Sequence, residues 1–179
     1  MFDLINGIPV HPLVVHAVVV LLPLTVVGTI AIAVVPRWRL TYGPLVVIAA
    51  LVSTILIPVA TSSGEELEKR VGDVDHHAEM GEMLIWFAIP LLVLVTALWW
   101  LERRQGRTAD SETGSTAGSH ARTEAGYASI EAGPGRTLVT VVAVFAVVAA
   151  LATAFQVYRV GDSGAKAVWE DSTSQTSGK

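Results

Sequence analysis

The sequence predicts an all-α integral membrane protein: a four-helix bundle with a short extracytoplasmic helix between its second and third spans. Three observations lead there. Charged residues make up 16% of the chain and apolar residues 52%, whereas an ordinary soluble domain is about a quarter charged. The charges are gathered into a few segments, which leaves uncharged runs at about 13–35, 42–60, 83–101 and 137–157. Each run approaches or exceeds the roughly 20 helical residues needed to cross a hydrocarbon core about 30 Å thick. Helix is the state expected for such runs, because every backbone group in lipid must find its partner within its own segment.

Composition also excludes function classes. A formal net charge of -4 offers no basic footprint for nucleic acid. With no cysteine in the chain, disulfides, thiol redox chemistry and iron–sulfur ligation are ruled out.

The first span is expected to be a retained helix. Residues 1–12 carry Asp3 and no Lys or Arg, where a cleaved signal wants a positive start and an apolar core of roughly 7–15 residues. Pro23, Pro58 and Pro90 fall inside three spans. Bundles tolerate such prolines when neighbouring hydroxyls re-satisfy the freed carbonyls, and Thr25, Ser53, Thr54 and Thr96 are near enough in sequence to do so. The fourth span is rich in alanine, including Ala143, Ala146 and Ala150, so it is expected to pack closely and centrally.

The connections set the expected topology. The first, Pro36-Arg37-Trp38-Arg39-Leu40, is short and basic. The second, 61–82, is acidic. Within it Ser63-Gly64-Glu65-Glu66 matches a capping box for a short surface helix, Gly72 would end that helix, and Asp73 or Asp75 would cap the next. The third, 102–136, opens Glu102-Arg103-Arg104-Gln105-Gly106-Arg107. Its 105–135 stretch has the composition of a disordered cytoplasmic linker, and His120 within it is given no role. Arginines flanking the first and third connections place both in the cytoplasm, giving N-out and C-out termini. Trp38, Trp99 and Trp100 then form an inner aromatic belt.

This orientation gathers His11, His16, His76 and His77 at the outer face, with Met80 and Met83 close by. On a helix turning about 100° per residue, His76, Met80 and Met83 fall within an arc of about 60°. Imidazole and thioether ligands suit copper, and imidazoles suit haem iron. A histidine of the first helix facing one of the third would hold a cofactor as bundles do. The candidate metal ligands are therefore His11, His16, His76, His77 and Met80, with His11, His16 and His77 the candidates for haem b. Read plainly instead, these are packed or solvated residues closing one end of the bundle. Glu82 near the same face is either a proton acceptor or an interfacial carboxylate. No phosphate loop, G-x-S-x-G or H-E-x-x-H element is present, so the chain reads as non-enzymatic.

The element Gly7-Ile8-Pro9-Val10-His11-Pro12-Leu13-Val14-Val15-His16, the Gly64-Glu65 loop, His77 and the tail Arg159-Val160-Gly161-Asp162-Ser163-Gly164-Ala165-Lys166-Ala167-Val168-Trp169 resemble a bacterial membrane family called domain of unknown function 2231. The resemblance covers nearly the whole chain outside the linker. It implies four spans, a bacterial cytoplasmic membrane and no established activity. Members often carry histidine where this chain has Asp162, a departure that either weakens a metal site or leaves Asp162 as a harder substitute ligand. Three functions follow as expectations. The first is a module holding haem or a transition metal at the extracytoplasmic face, in electron transfer with a membrane redox partner. The second is a structural or partner-binding membrane protein without a cofactor. The third is a small transporter, disfavoured because no span carries an ionisable residue near its centre and no inverted repeat is evident.

Overall fold

A computed structural model describes residues 4–5, 8–71, 75–113 and 134–176, with side chains described within 12–64, 80–105 and 135–166. The described chain is helical apart from a two-residue antiparallel ladder in which Leu4 pairs with Pro9 and Ile5 with Ile8. The helices are α1 (Val10–Val34), α2 (Arg39–Val71), α3 (Asp75–Thr113) and α4 (Pro134–Thr176). Four stretches are long and apolar enough to cross a membrane: Pro12–Val34, Pro36–Gly64, Met80–Gln105 and Gly135–Lys166. Helix α4 has 43 residues, about 65 Å at 1.5 Å per residue, so it extends well beyond a hydrocarbon core of about 30 Å.

The helices form an up-and-down ring, α1 against α2, α2 against α3, α3 against α4 and α4 back against α1. Each turns a stripe of side chains inward at the three- and four-residue spacing of a helix face. On α4 the inward stripe is Val139, Ala143, Ala146, Ala150 and Thr153, and on α3 it is Met80, Leu84, Ala88, Leu91, Val95 and Leu98. The expected close packing of the alanine-rich helix is realised, with Ala146 and Ala150 fully buried. The core stacks in layers. Ile32, Val46, Leu98 and Ala143 meet at one end, Val26, Leu91 and Ala150 in the middle, and Leu22, Ile57 and Leu84 at the other. The outward stripes, such as Leu45, Ile48 and Ile55 on α2, are large and apolar, as a lipid-facing surface requires.

The reversal from α1 to α2 is decided by a proline and an arginine. Pro36 cannot continue a helix and pushes the residue before it out of the helical region. Val35 accordingly has φ -112° and ψ 89°, and a single 3-10 turn, Pro36–Trp38, follows. The end of α1 exposes carbonyls that have no partner within the helix. The Val35 amide donates to Ala31 at 2.9 Å. Arg39 takes the next two, its Nε donating to Ile32 at 2.9 Å and its Nη2 to Ala33 at 2.8 Å. The remaining Nη1 donates to Glu102 Oε2 of α3 at 3.1 Å. Arg39 is only 8% exposed. One guanidinium thus caps α1, anchors α2 and holds α3. Close approach nearby also needs glycine: a Cβ on Gly43 would lie 2.4 Å from Trp99 Cδ1.

Two sequence expectations are revised. The separate helix between the second and third spans is not formed, because α2 runs unbroken through Ser63 to Val71. Ser63 is not an N-cap. Its hydroxyl donates back to the Ala60 carbonyl at 3.0 Å, while Thr61 and Ser62 donate to Pro58. Hydroxyls used this way do not compete for the backbone amides, so the helix continues. For the same reason the span hydroxyls do not repair the proline sites. Thr25, Ser53 and Thr54 donate to Leu21, Ala49 and Ala50, each four residues back, rather than to the carbonyls freed by Pro23 and Pro58. The expected stop at Gly72 and cap at Asp73 lie outside the described residues, and Asp75 opens α3. Helix α3 continues to Thr113, so it covers residues 105–113 of the stretch read as a linker.

Arg39→Ala is expected to lower unfolding free energy by about 3–5 kcal/mol, because it strands two carbonyls and a partly buried carboxylate. Arg37→Ala, at an exposed site on the same turn, is expected to stay within about 0.5 kcal/mol. Gly43→Ala should cost about 1–3 kcal/mol through overpacking against Trp99. Unfolding of the detergent-solubilised protein by titrated dodecyl sulfate, followed by circular dichroism, measures all three.

Candidate functional site

The expected histidine site draws on the N-terminal end of α1 and the start of α3. His16 lies in the second turn of α1 and is exposed. Successive helix residues rotate by about 100°, which puts His16 on the same outward stripe as Val20, Leu24 and Val27 and opposite Thr25. Those three valine and leucine side chains are exposed, whereas Thr25 is buried. His16 therefore faces away from the bundle interior. Its Nδ1 lies 2.6 Å from the Pro12 carbonyl oxygen. A carbonyl only accepts, so Nδ1 donates and Nε2 is the ring nitrogen left without this bond.

His11 is the second residue of α1, and His76 and His77 lie in the first turn of α3. Their side chains fall outside the described residues, so no geometry joins them to His16. The two methionines expected on one arc are divided. Met80 is 7% exposed and belongs to the inward stripe of α3, while Met83 is 52% exposed. The border between core and lipid passes between them. Glu82 is exposed. Among the described residues no three His, Asp or Glu side chains are grouped so as to hold a metal ion.

The polar groups that do lie inside the bundle are on other residues. Gln156 is 3% exposed and reaches across from α4, its Nε2 3.4 Å from the Met80 carbonyl of α3. Thr153 is fully buried one turn earlier, with Oγ1 donating to Ala149 at 2.8 Å and standing 3.4 Å from the Phe87 carbonyl of α3. Together they tie α4 to α3. Thr29 on α1 is 0% exposed and its Oγ1 is the one buried side-chain oxygen without a partner among the described residues. A lone amide in an otherwise apolar run was the available signal for Gln156. Nothing in the sequence separates Thr29 from Thr25, which satisfies its own hydroxyl.

The model of a family described as "Predicted membrane protein (DUF2231)" matches residues 7–177. The chain belongs to this family. Four apolar helices and membership of DUF2231 together make it a membrane protein whose surroundings are a lipid bilayer. The DUF2231 family is one of unknown function. No curated protein and no solved structure matches.

The interior hydroxyls give opposite expectations for one chemical change. Thr153→Val should cost roughly 0.6 kcal/mol, the average for a hydrogen bond between membrane helices. Thr29→Val should be neutral or stabilising by about 1 kcal/mol, because it removes a buried hydroxyl that has no partner to lose. Dodecyl sulfate unfolding midpoints of the two variants measured side by side check the sign of each.

Proposed function

We propose that this chain is a non-enzymatic membrane module that engages a partner at the N-terminal end of α1, on the outward face that carries His16. The single observation behind this reading is the direction of His16. An imidazole in a span marks a functional position more often than a structural one, and this one faces away from the bundle interior. Whatever it binds approaches from outside the bundle. The core layers and the inward hydroxyls, most of them bonded within their own helix, support a framework rather than an enclosed reaction chamber. We place the chain in a bacterial cytoplasmic membrane with N-terminus and C-terminus outside, which the exposed Arg37, Arg103, Arg104 and Arg136 at the opposite end favour.

A second reading keeps the cofactor. The Nδ1–H bond to the Pro12 carbonyl is the arrangement that orients a metal-ligating histidine. In that reading Nε2 of His16 binds a haem iron or copper on the outer surface, with His11 of the same helix as a further ligand, and the partner is a redox protein; His76 and His77 belong to α3, on the far side of the ring. Met80 is left out of it, since its side chain serves the bundle wall.

Two measurements on His16→Ala separate these readings. A photo-crosslinking residue at Val20, the next outward position, should give an adduct in native membranes that His16→Ala abolishes, while the same residue at Leu151 on α4 should not give it. Adducts identical at both positions would contradict the partner reading. A Soret band or stoichiometric copper that disappears in His16→Ala would establish the cofactor. Protein that is colourless and metal-free after expression with haem precursor and copper would dismiss it.

A further inference from the structure

The end of the bundle opposite His16 carries an unbalanced charge. The residues there whose side chains are described, 34–43, 99–105 and 135–140, include five arginines and one glutamate. That glutamate, Glu102, is already engaged by the buried Arg39. Arg37, Arg103, Arg104 and Arg136 are exposed. They come from three different elements that the fold brings level. Gln105 Nε2 donates to the Gly135 carbonyl at 2.7 Å, joining the end of α3 to the start of α4. Among the described residues no carboxylate pairs with Arg37, Arg103 or Arg136.

Aromatic rings sit among these arginines. The Arg104 guanidinium lies 3.5 Å from the centroid of Trp100, and Arg103 lies 5.4 Å from that of Trp99. Trp38 meets Tyr42 edge-on with centroids 5.9 Å apart, and both are exposed. Tryptophan and tyrosine settle at the level of lipid head groups. A guanidinium held over an indole face is kept at the depth of that ring. Among the described side chains at the other end, Glu82 and Asp162 stand against Arg159 and Lys166, and the connection on that side is acidic.

We propose that this arginine end is a binding surface for the head groups of anionic phospholipids, with Arg37, Arg103 and Arg136 donating hydrogen bonds to the phosphodiester oxygens and the aromatic collar fixing the depth. Charge complementarity selects the occupant. A second copy would bring the same positive end and be repelled, and nucleic acid has no reach into a ring of residues set at the depth of tryptophan and tyrosine. A phosphodiester already lies at that depth in every leaflet of the bilayer. This inference is independent of what His16 engages.

The test uses the full chain in phosphatidylcholine vesicles, with Trp86→Phe and Trp169→Phe confining fluorescence to Trp38, Trp99 and Trp100. Brominated phosphatidylglycerol and brominated phosphatidylcholine are compared as quenchers at equal mole fraction. The expected result is an enrichment of phosphatidylglycerol at these tryptophans of about fivefold, the order given by an arginine near an anionic surface. In R37Q/R103Q/R136Q the enrichment should fall to parity, in R136Q alone to an intermediate value, and in K166Q it should not change. Raising sodium chloride should weaken it. Equal quenching by the two lipids, or full enrichment in the triple variant with unchanged helicity, overturns the proposal. So does loss of enrichment on adding inorganic phosphate but not sodium chloride of the same ionic strength, since the surface would then serve a soluble anion. An acidic protein as the true partner would leave the purified chain without any lipid preference.

Discussion

The Arg39 guanidinium is the contact on which the arrangement of the first three helices depends. A helix that ends in or near lipid leaves its last carbonyls facing a medium with nothing to donate. Water would ordinarily satisfy them, yet here the chain turns back within a few residues and packs α2 against α1. Arg39 resolves the conflict by bringing two donors to Ile32 and Ala33 and spending its third on Glu102. An arginine suits this place better than a lysine, because its planar fork reaches separate acceptors in fixed directions and stays charged when buried. The charge is then balanced by a carboxylate that α3 carries at the end of its apolar run. Helix ending, chain reversal and neighbour choice are settled at one residue.

The remainder of the bundle is held by close approach and by a small number of polar ties. Lipid supplies no hydrophobic drive between helices, so packing contacts and hydrogen bonds must do it. Ala146 and Ala150 let α4 come close. Gly43 admits the Trp99 ring, where any side chain would collide. Gln156 and Thr153 fasten α4 to α3 near its carbonyls at Met80 and Phe87. Most other interior hydroxyls bond within their own helix, which makes them small fillers with little demand on their neighbours. Among the described residues Thr29 is the buried hydroxyl without such a bond.

The candidate site was only partly legible. The spacing of His11 and His16 marked the start of α1, and that start is where the helix begins. The direction of His16 was not legible, since a residue inside an apolar run shows no amphipathic contrast between a lipid face and a core face. Both faces are made of valine, leucine and alanine. Met80 and Met83 illustrate the same limit, three residues apart and on opposite sides of the boundary between core and lipid. The capping-box signature at Ser63 failed for a related reason. Its residue types suit a helix start, but hydroxyls that turn back to the preceding turn let the helix run through.

By itself the sequence determined the helical class and the four spans, because uncharged runs of that length leave the backbone no other way to satisfy its polar groups. It also determined the sidedness of charge, since the arginines cluster where the first and third connections must lie. The tertiary structure alone decided which arginine is buried. Arg37 and Arg39 are two residues apart in one connection, and only the return of α2 against α1 turns one to solvent and the other onto the Ile32 and Ala33 carbonyls. It alone decided that Glu102 is a partner and that His16 faces outward. Each of these depends on how neighbouring helices are rotated about their axes. That rotation is set by interlocking side chains from several helices at once, which no local stretch of the chain encodes.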